Sequence, residues 1–86
     1  MATAKVNSMS YQDIVNDIAR ITAQITEKQI PSPREDLFAL GIDSMVMLDL
    51  LAALEEHFGI TLNESITREF RTIERIARII RDTASA

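Results

Sequence analysis

The chain has 86 residues, room for one small domain, and no cysteine, which excludes disulfides, thiolate metal sites and a cysteine nucleophile. One histidine, His57, argues against a zinc site or a histidine-based triad, and a net charge of −4 is the wrong sign for gripping a phosphate backbone. An apolar fraction of 47%, with two glycines and two prolines, favours helices over a turn-rich β fold. A binding or carrier module is therefore expected rather than a self-contained catalytic domain.

In chain order, residues 1–9 contain small and polar residues without a period and read as a flexible N-terminus. Ser10 with Asp13 three residues on is a variant capping box, and Met9 and Ile14 are placed to form a hydrophobic staple across it. Ile14, Ile18, Ile21 and Ile25 follow at helical spacing and predict one buried face. From Thr26 to Asp43 no period persists, and Pro31 and Pro33 remove backbone donors and extend the residues before them. Leu37, Phe38, Leu40 and Ile42 mark this as a loop pinned onto a core.

A second helix is predicted from Asp43 or Ser44 to Phe58, with Gly59 at the left-handed position beyond its end. Asn63 or Ser65 predicts the cap of a short helix through Glu69. Thr72 predicts the cap of a last helix through about Arg81, with Ile73, Ile76, Ala77 and Ile80 facing inward and Arg71, Arg75 and Arg78 outward. Residues 83–86 read as a flexible C-terminus, and the fold expected for 10–82 is an all-α four-helix bundle, three helices longer and one short. No leader is recognised in the first seven residues and no segment is long enough to span a membrane, so a cytoplasmic monomer is expected.

On the second helix Met47, Leu50, Leu51, Leu54 and Phe58 share one arc and form the expected core face. Met45, Leu48 and Ala52 fall opposite, interleaved with Asp49, Glu55 and Glu56. Burial of unpaired carboxylates is costly, so this face is expected in solvent, an apolar patch rimmed with acid that suits a basic protein partner. Between Glu35 and Glu64 lie seven acidic residues and no lysine or arginine, whereas Ser65 to Asp82 holds five arginines against three acids. The arginines read as a solvated helix face.

Asp36-Leu37-Phe38-Ala39-Leu40-Gly41-Ile42-Asp43-Ser44-Met45 resembles the phosphopantetheine attachment motif of acyl and peptidyl carrier proteins. Leu54-Glu55-Glu56-His57-Phe58-Gly59-Ile60 and Phe70-Arg71-Thr72-Ile73 are similar to later parts of that family's pattern, and the likeness covers roughly residues 10–82. The resemblance implies a bundle of acyl-carrier-protein type and attachment of 4′-phosphopantetheine from coenzyme A at Ser44. A helix N-terminus favours that phosphate. It further implies that Gly41 shapes the turn into the helix without a side-chain clash. Asp43, by the same likeness, caps the helix and assists the modifying transferase, with Met45, Leu48, Asp49, Ala52, Glu55 and Glu56 as the partner surface.

The partners so implied are a phosphopantetheinyl transferase and acyl-loading or acyl-processing enzymes, such as a ketosynthase, an acyltransferase or an adenylating ligase. No metal ligand and no catalytic residue are expected in the chain itself. Neither lysine nor histidine lies between Arg34 and His57 to serve as a base for Ser44. Against the pattern of fatty-acid carriers, Met45 is a volume-conserving departure with little meaning, whereas Val46 and the weakly acidic Asn63–Arg68 stretch weaken the carboxylate surface and point to specialised lipid, polyketide, peptide or aryl assembly. The alternative is an unmodified helical adaptor using the Met45/Leu48 patch; a small hydrolase built on Ser44 predicts ester turnover by the unmodified chain.

Overall fold

The computed structural model describes residues 5–85, in which three α-helices and two 3-10 segments form the structure and no strand occurs. Helix α1 spans Tyr11–Thr26, α2 Ser44–Phe58 and α3 Ile73–Ser85, with 3-10 segments at Lys5–Ser8 and Glu64–Glu69. Helix α1 packs against both α2 and α3, and the second 3-10 helix lies beside α2.

Each helix begins where a side chain can satisfy an open amide. Ser10 Oγ accepts from the Asp13 amide at 3.1 Å, Asp43 Oδ1 from Val46 at 3.0 Å and Thr72 Oγ1 from Arg75 at 3.0 Å. Such caps stabilise by about 1 kcal/mol each. Helix α2 ends on Gly59 at φ +68°, where its amide donates to the Glu55 carbonyl at 2.9 Å. An L side chain at that angle would be strained.

The core joins Ile14, Val15, Ile18 and Ile21 of α1, Met47, Leu50, Leu51, Leu54 and Phe58 of α2, and Ile73, Ile76, Ala77 and Ile80 of α3. Phe70, wholly buried just before α3, extends it. Full burial of one such side chain stabilises by roughly 1.5–3 kcal/mol. Ile25 does not join this face: it is 36% exposed, near the end of α1, and Thr22 is buried instead. The Thr22 hydroxyl is buried without a hydrogen-bond partner.

The chain ends and the short helix are defined more closely by the structure. The Lys5–Ser8 segment is helical and Val6 is buried in the core, while α3 runs on to Ser85. Residues 1–4 and 86 lie outside the described residues. The short third helix is a 3-10 helix with no fully buried residue. Six residues with one half-buried apolar side chain, Ile66, offer little burial to extend it into an α-helix.

The long connection after α1 is packed, as expected, but by a different division of labour. Leu37 and Ile42 are buried and Leu40 half-buried, whereas Phe38 is 39% exposed. Leu37 is fixed because its amide donates to the Arg71 carbonyl at 2.8 Å, and the Glu74 amide reaches back to the Pro33 carbonyl at 3.0 Å. These bonds stitch the loop to the start of α3. Phe38, next along the turn, is left facing outward.

Candidate functional site

The junction entering α2 is built outward from Asp36. Its Oδ1 accepts the amides of Phe38 at 3.0 Å and Ala39 at 3.3 Å, and its Oδ2 accepts from Arg71 at 3.1 Å. Burial alone would raise this carboxyl; the Arg71 hydrogen bond, the two amides and the Arg71 charge outweigh it and hold the group below its ordinary value. A tight turn follows, closed by Leu40 and Ile42 amides donating to Leu37 and by Gly41 donating to Phe38.

Gly41 sits at φ +87°, and a Cβ built there would meet nothing within 4 Å. The requirement at this position is therefore the left-handed backbone and not avoidance of a clash, which corrects the expectation. Ile42 drops into the core, and Asp43 turns its carboxylate onto the Val46 amide. Ser44 is then the first residue of α2, exposed to solvent.

With Asp43 serving Val46 through its side chain and Met47 through its carbonyl, the amides of Ser44 and Met45 have no acceptor among the described residues. An anionic group on the Ser44 hydroxyl would meet open donors and the positive end of the helix dipole. The exposed hydroxyl and these donors fit a covalently attached phosphate. The same place does not fit a serine nucleophile: His57 lies thirteen residues along α2, about 20 Å away. His57 Nε2–H donates instead to Asp17 Oδ2 of α1 at 2.9 Å. Among the described residues no cluster of acidic or histidine side chains could hold a metal ion.

The outer face of α2 matches its expected exposure. Met45 is 76% and Leu48 42% exposed, and Asp49, Ala52 and Glu56 are also in solvent. Glu55 differs: it is half-buried, and its Oε2 accepts the Leu62 amide at 2.8 Å, so its carboxylate closes the chain after α2.

A shallow groove flanks Ser44, lined by Ser44, Leu48, Asn63, Glu64, Ser65, Thr67 and Arg68. Sequence patterning did not bring Asn63 to Arg68 to this place; only the counter-packing of the 3-10 helix on α2 does. A larger cleft, lined by Arg68, Arg71, Arg75 and Arg78 with Glu69 and Glu74, lies along the start of α3.

The chain is a small helical bundle that presents an exposed serine at a capped helix start. Residues 12–80 match the family described as Phosphopantetheine attachment site, and the chain belongs to that family. The chain is 35% identical over 71 residues to acyl carrier protein 4, chloroplastic, of Arabidopsis thaliana, covering 81% of this chain and 48% of that protein. To the mitochondrial acyl carrier protein of Saccharomyces cerevisiae it is 31% identical over 61 residues, 71% of this chain and 49% of the relative. Acyl carrier protein 5, chloroplastic, of Arabidopsis thaliana is 29% identical over 68 residues, 79% of this chain and 49% of that protein. The chain spans about half the length of the curated relatives it matches. No described helix is long and apolar enough to cross a membrane.

Proposed function

We propose that Ser44 is the residue that carries 4′-phosphopantetheine, and that the chain holds acyl, aminoacyl or aryl intermediates as thioesters and presents them to partner enzymes. Membership of the family supports a phosphopantetheine-bearing carrier rather than an enzyme. The observation that carries the assignment is the exposed Ser44 hydroxyl at the Asp43-capped start of α2, beside two open amides. In this reading the Ser44 hydroxyl, giving up its proton, attacks the pyrophosphate of coenzyme A, forms the phosphodiester and releases adenosine 3′,5′-bisphosphate. When attached, the group supplies the thiol that a chain without cysteine lacks.

Gly41 sets the turn that delivers Ser44, and Asp43 fixes the helix start on which the transferase acts. Met45, Leu48 and Ala52 dock partners, with Asp49 and Glu56 steering them by charge. Glu55 is omitted from this group because its carboxylate is engaged by Leu62. The weakly acidic Asn63–Arg68 segment supports specialised lipid, polyketide or peptide biosynthesis over bulk fatty-acid synthesis, with a ketosynthase, acyltransferase or adenylating ligase as the loading or processing partner.

Incubation with coenzyme A, magnesium and a broad-specificity phosphopantetheinyl transferase, followed by intact mass measurement, tests the assignment. The wild type gains one phosphopantetheine and Ser44→Ala gains none. Equal gain by both, or gain by neither, overturns it, and the second result leaves the unmodified adaptor as the better reading.

A further inference from the structure

We infer that Arg68 pairs with the phosphodiester carried on Ser44, so that the attached arm leaves along the 3-10 helix and not across Met45. This rests on Ser44 being the attachment residue. Ser44 and Arg68 line the same groove. Most other arginines are already engaged: Arg20 with Asp17, Arg34 with Glu74, Arg71 with Asp36, Arg75 with Glu69, and Arg81 over the Tyr11 ring. Arg68 makes no ion pair or side-chain hydrogen bond among the described residues, and it is the one arginine in the Ser44 groove.

The local helix type keeps it apart from Glu64. A 3-10 helix has three residues per turn, so residues i and i+3 eclipse. Ser65 and Arg68 therefore stack in one row, whereas Glu64 stacks with Thr67, whose Oγ1 donates to the Glu64 carbonyl at 2.9 Å. Glu64 lies in the groove's lining as well, but a third of a turn away from the Ser65–Arg68 row. An α-helix over the same residues would have brought Glu64 and Arg68 together as an i,i+4 pair. The 3-10 geometry leaves the guanidinium open.

A phosphodiester formed on Ser44 carries one negative charge whatever the pH of the cell. The Met45 and Leu48 side chains offer it nothing polar, and Asp43 and Asp49 repel it. The guanidinium presents paired N–H donors suited to phosphate oxygens. The single Ser65 Oγ–H in the same row is committed to Asn63 Oδ1 at 3.0 Å, which leaves Arg68 as the open side-chain donor of that row. With the phosphate drawn this way, Met45, which does not line the groove, stays clear for a docking enzyme.

The test uses the modified protein, with modification confirmed by intact mass, and reads the phosphorus-31 resonance of the phosphodiester in wild type, Arg68→Ala, Arg68→Lys and Arg78→Ala. Arg78 lies on α3 outside the Ser44 groove and controls for loss of one positive charge. The resonance is expected to move in Arg68→Ala, to move less in Arg68→Lys, and to stay in place in Arg78→Ala. Added salt should carry the wild-type resonance toward its Arg68→Ala position, since the pair is screened. A modified Arg68→Ala whose resonance coincides with wild type, or moves no more than that of Arg78→Ala, overturns the role of Arg68 alone. Failure of the wild type to gain the group at all refutes the Ser44 assignment instead.

Discussion

Glu55 Oε2 accepts the backbone amide of Leu62 at 2.8 Å, so a carboxylate on the outer half of α2 holds the chain as it leaves that helix. Leu62 is buried, and its amide has no other acceptor. Glu55→Ala should lower stability by about 1–3 kcal/mol, the usual cost of stranding a buried donor. Glu55→Gln keeps an acceptor oxygen and should recover most of this in chemical denaturation. Equal stability of the alanine variant and wild type would return Glu55 to the partner surface.

His57 and Asp17 join α2 to α1 at 2.9 Å with both side chains about three-quarters buried. An ionised carboxylate only accepts, so Nε2 carries the proton. Asp17 also lies 3.6 Å from Arg20. A double-mutant cycle with Asp17→Asn and His57→Gln should give a coupling of about 1 kcal/mol, between the values for exposed and buried pairs. No coupling would make the contact incidental.

Much of this architecture is readable from residue order alone. The caps at Ser10, Asp43 and Thr72, the left-handed Gly59 and the inward faces of α2 and α3 depend on neighbours within one or two turns, and local pattern carries them. Glu55 and Phe38 were harder because their settings depend on long-range partners. A carboxylate among outward residues reads as solvated until Leu62 is brought under it. Phe38 reads as an anchor until the Leu37 amide is seen bound to Arg71. The groove beside Ser44 is likewise a product of tertiary packing: nothing in the spacing from 44 to 68 places those residues together.

Asp36 makes part of the stability pH-dependent. Its carboxyl lies below the ordinary value because the folded state favours the ionised form. The contribution is therefore complete above the unfolded value, about 4, and is lost as pH falls through the folded value. Asp36→Asn should be less stable than wild type at neutral pH, with the two curves of denaturation midpoint against pH converging below about pH 4. Parallel curves would show that Asp36 carries none of the acid sensitivity. Because Asp36 and Arg71 are both substantially exposed, the difference should shrink in high salt.

On the proposed function, Met45 and Leu51 separate docking from folding on a single helix. Met45→Ala should change stability by less than about 0.5 kcal/mol, as expected for an exposed site. Calorimetric titration with the transferase should show it weakening the complex at least fivefold, the size of a modest hot spot of about 1 kcal/mol. Leu51→Ala removes a buried side chain and should cost about 2–5 kcal/mol. If Met45→Ala binds as wild type does, the partner surface lies elsewhere.

The orphan hydroxyl of Thr22 gives α1 a use in engineering. A valine has the same branched shape but no polar atom to strand, so Thr22→Val should raise the thermal midpoint. The change is sealed inside the bundle, where neither a modifying enzyme nor a docking partner can sense it. A toughened version of this scaffold, with every outward-facing group untouched, is thus one substitution away, and it would provide a hardier background in which to make the costlier variants of α2.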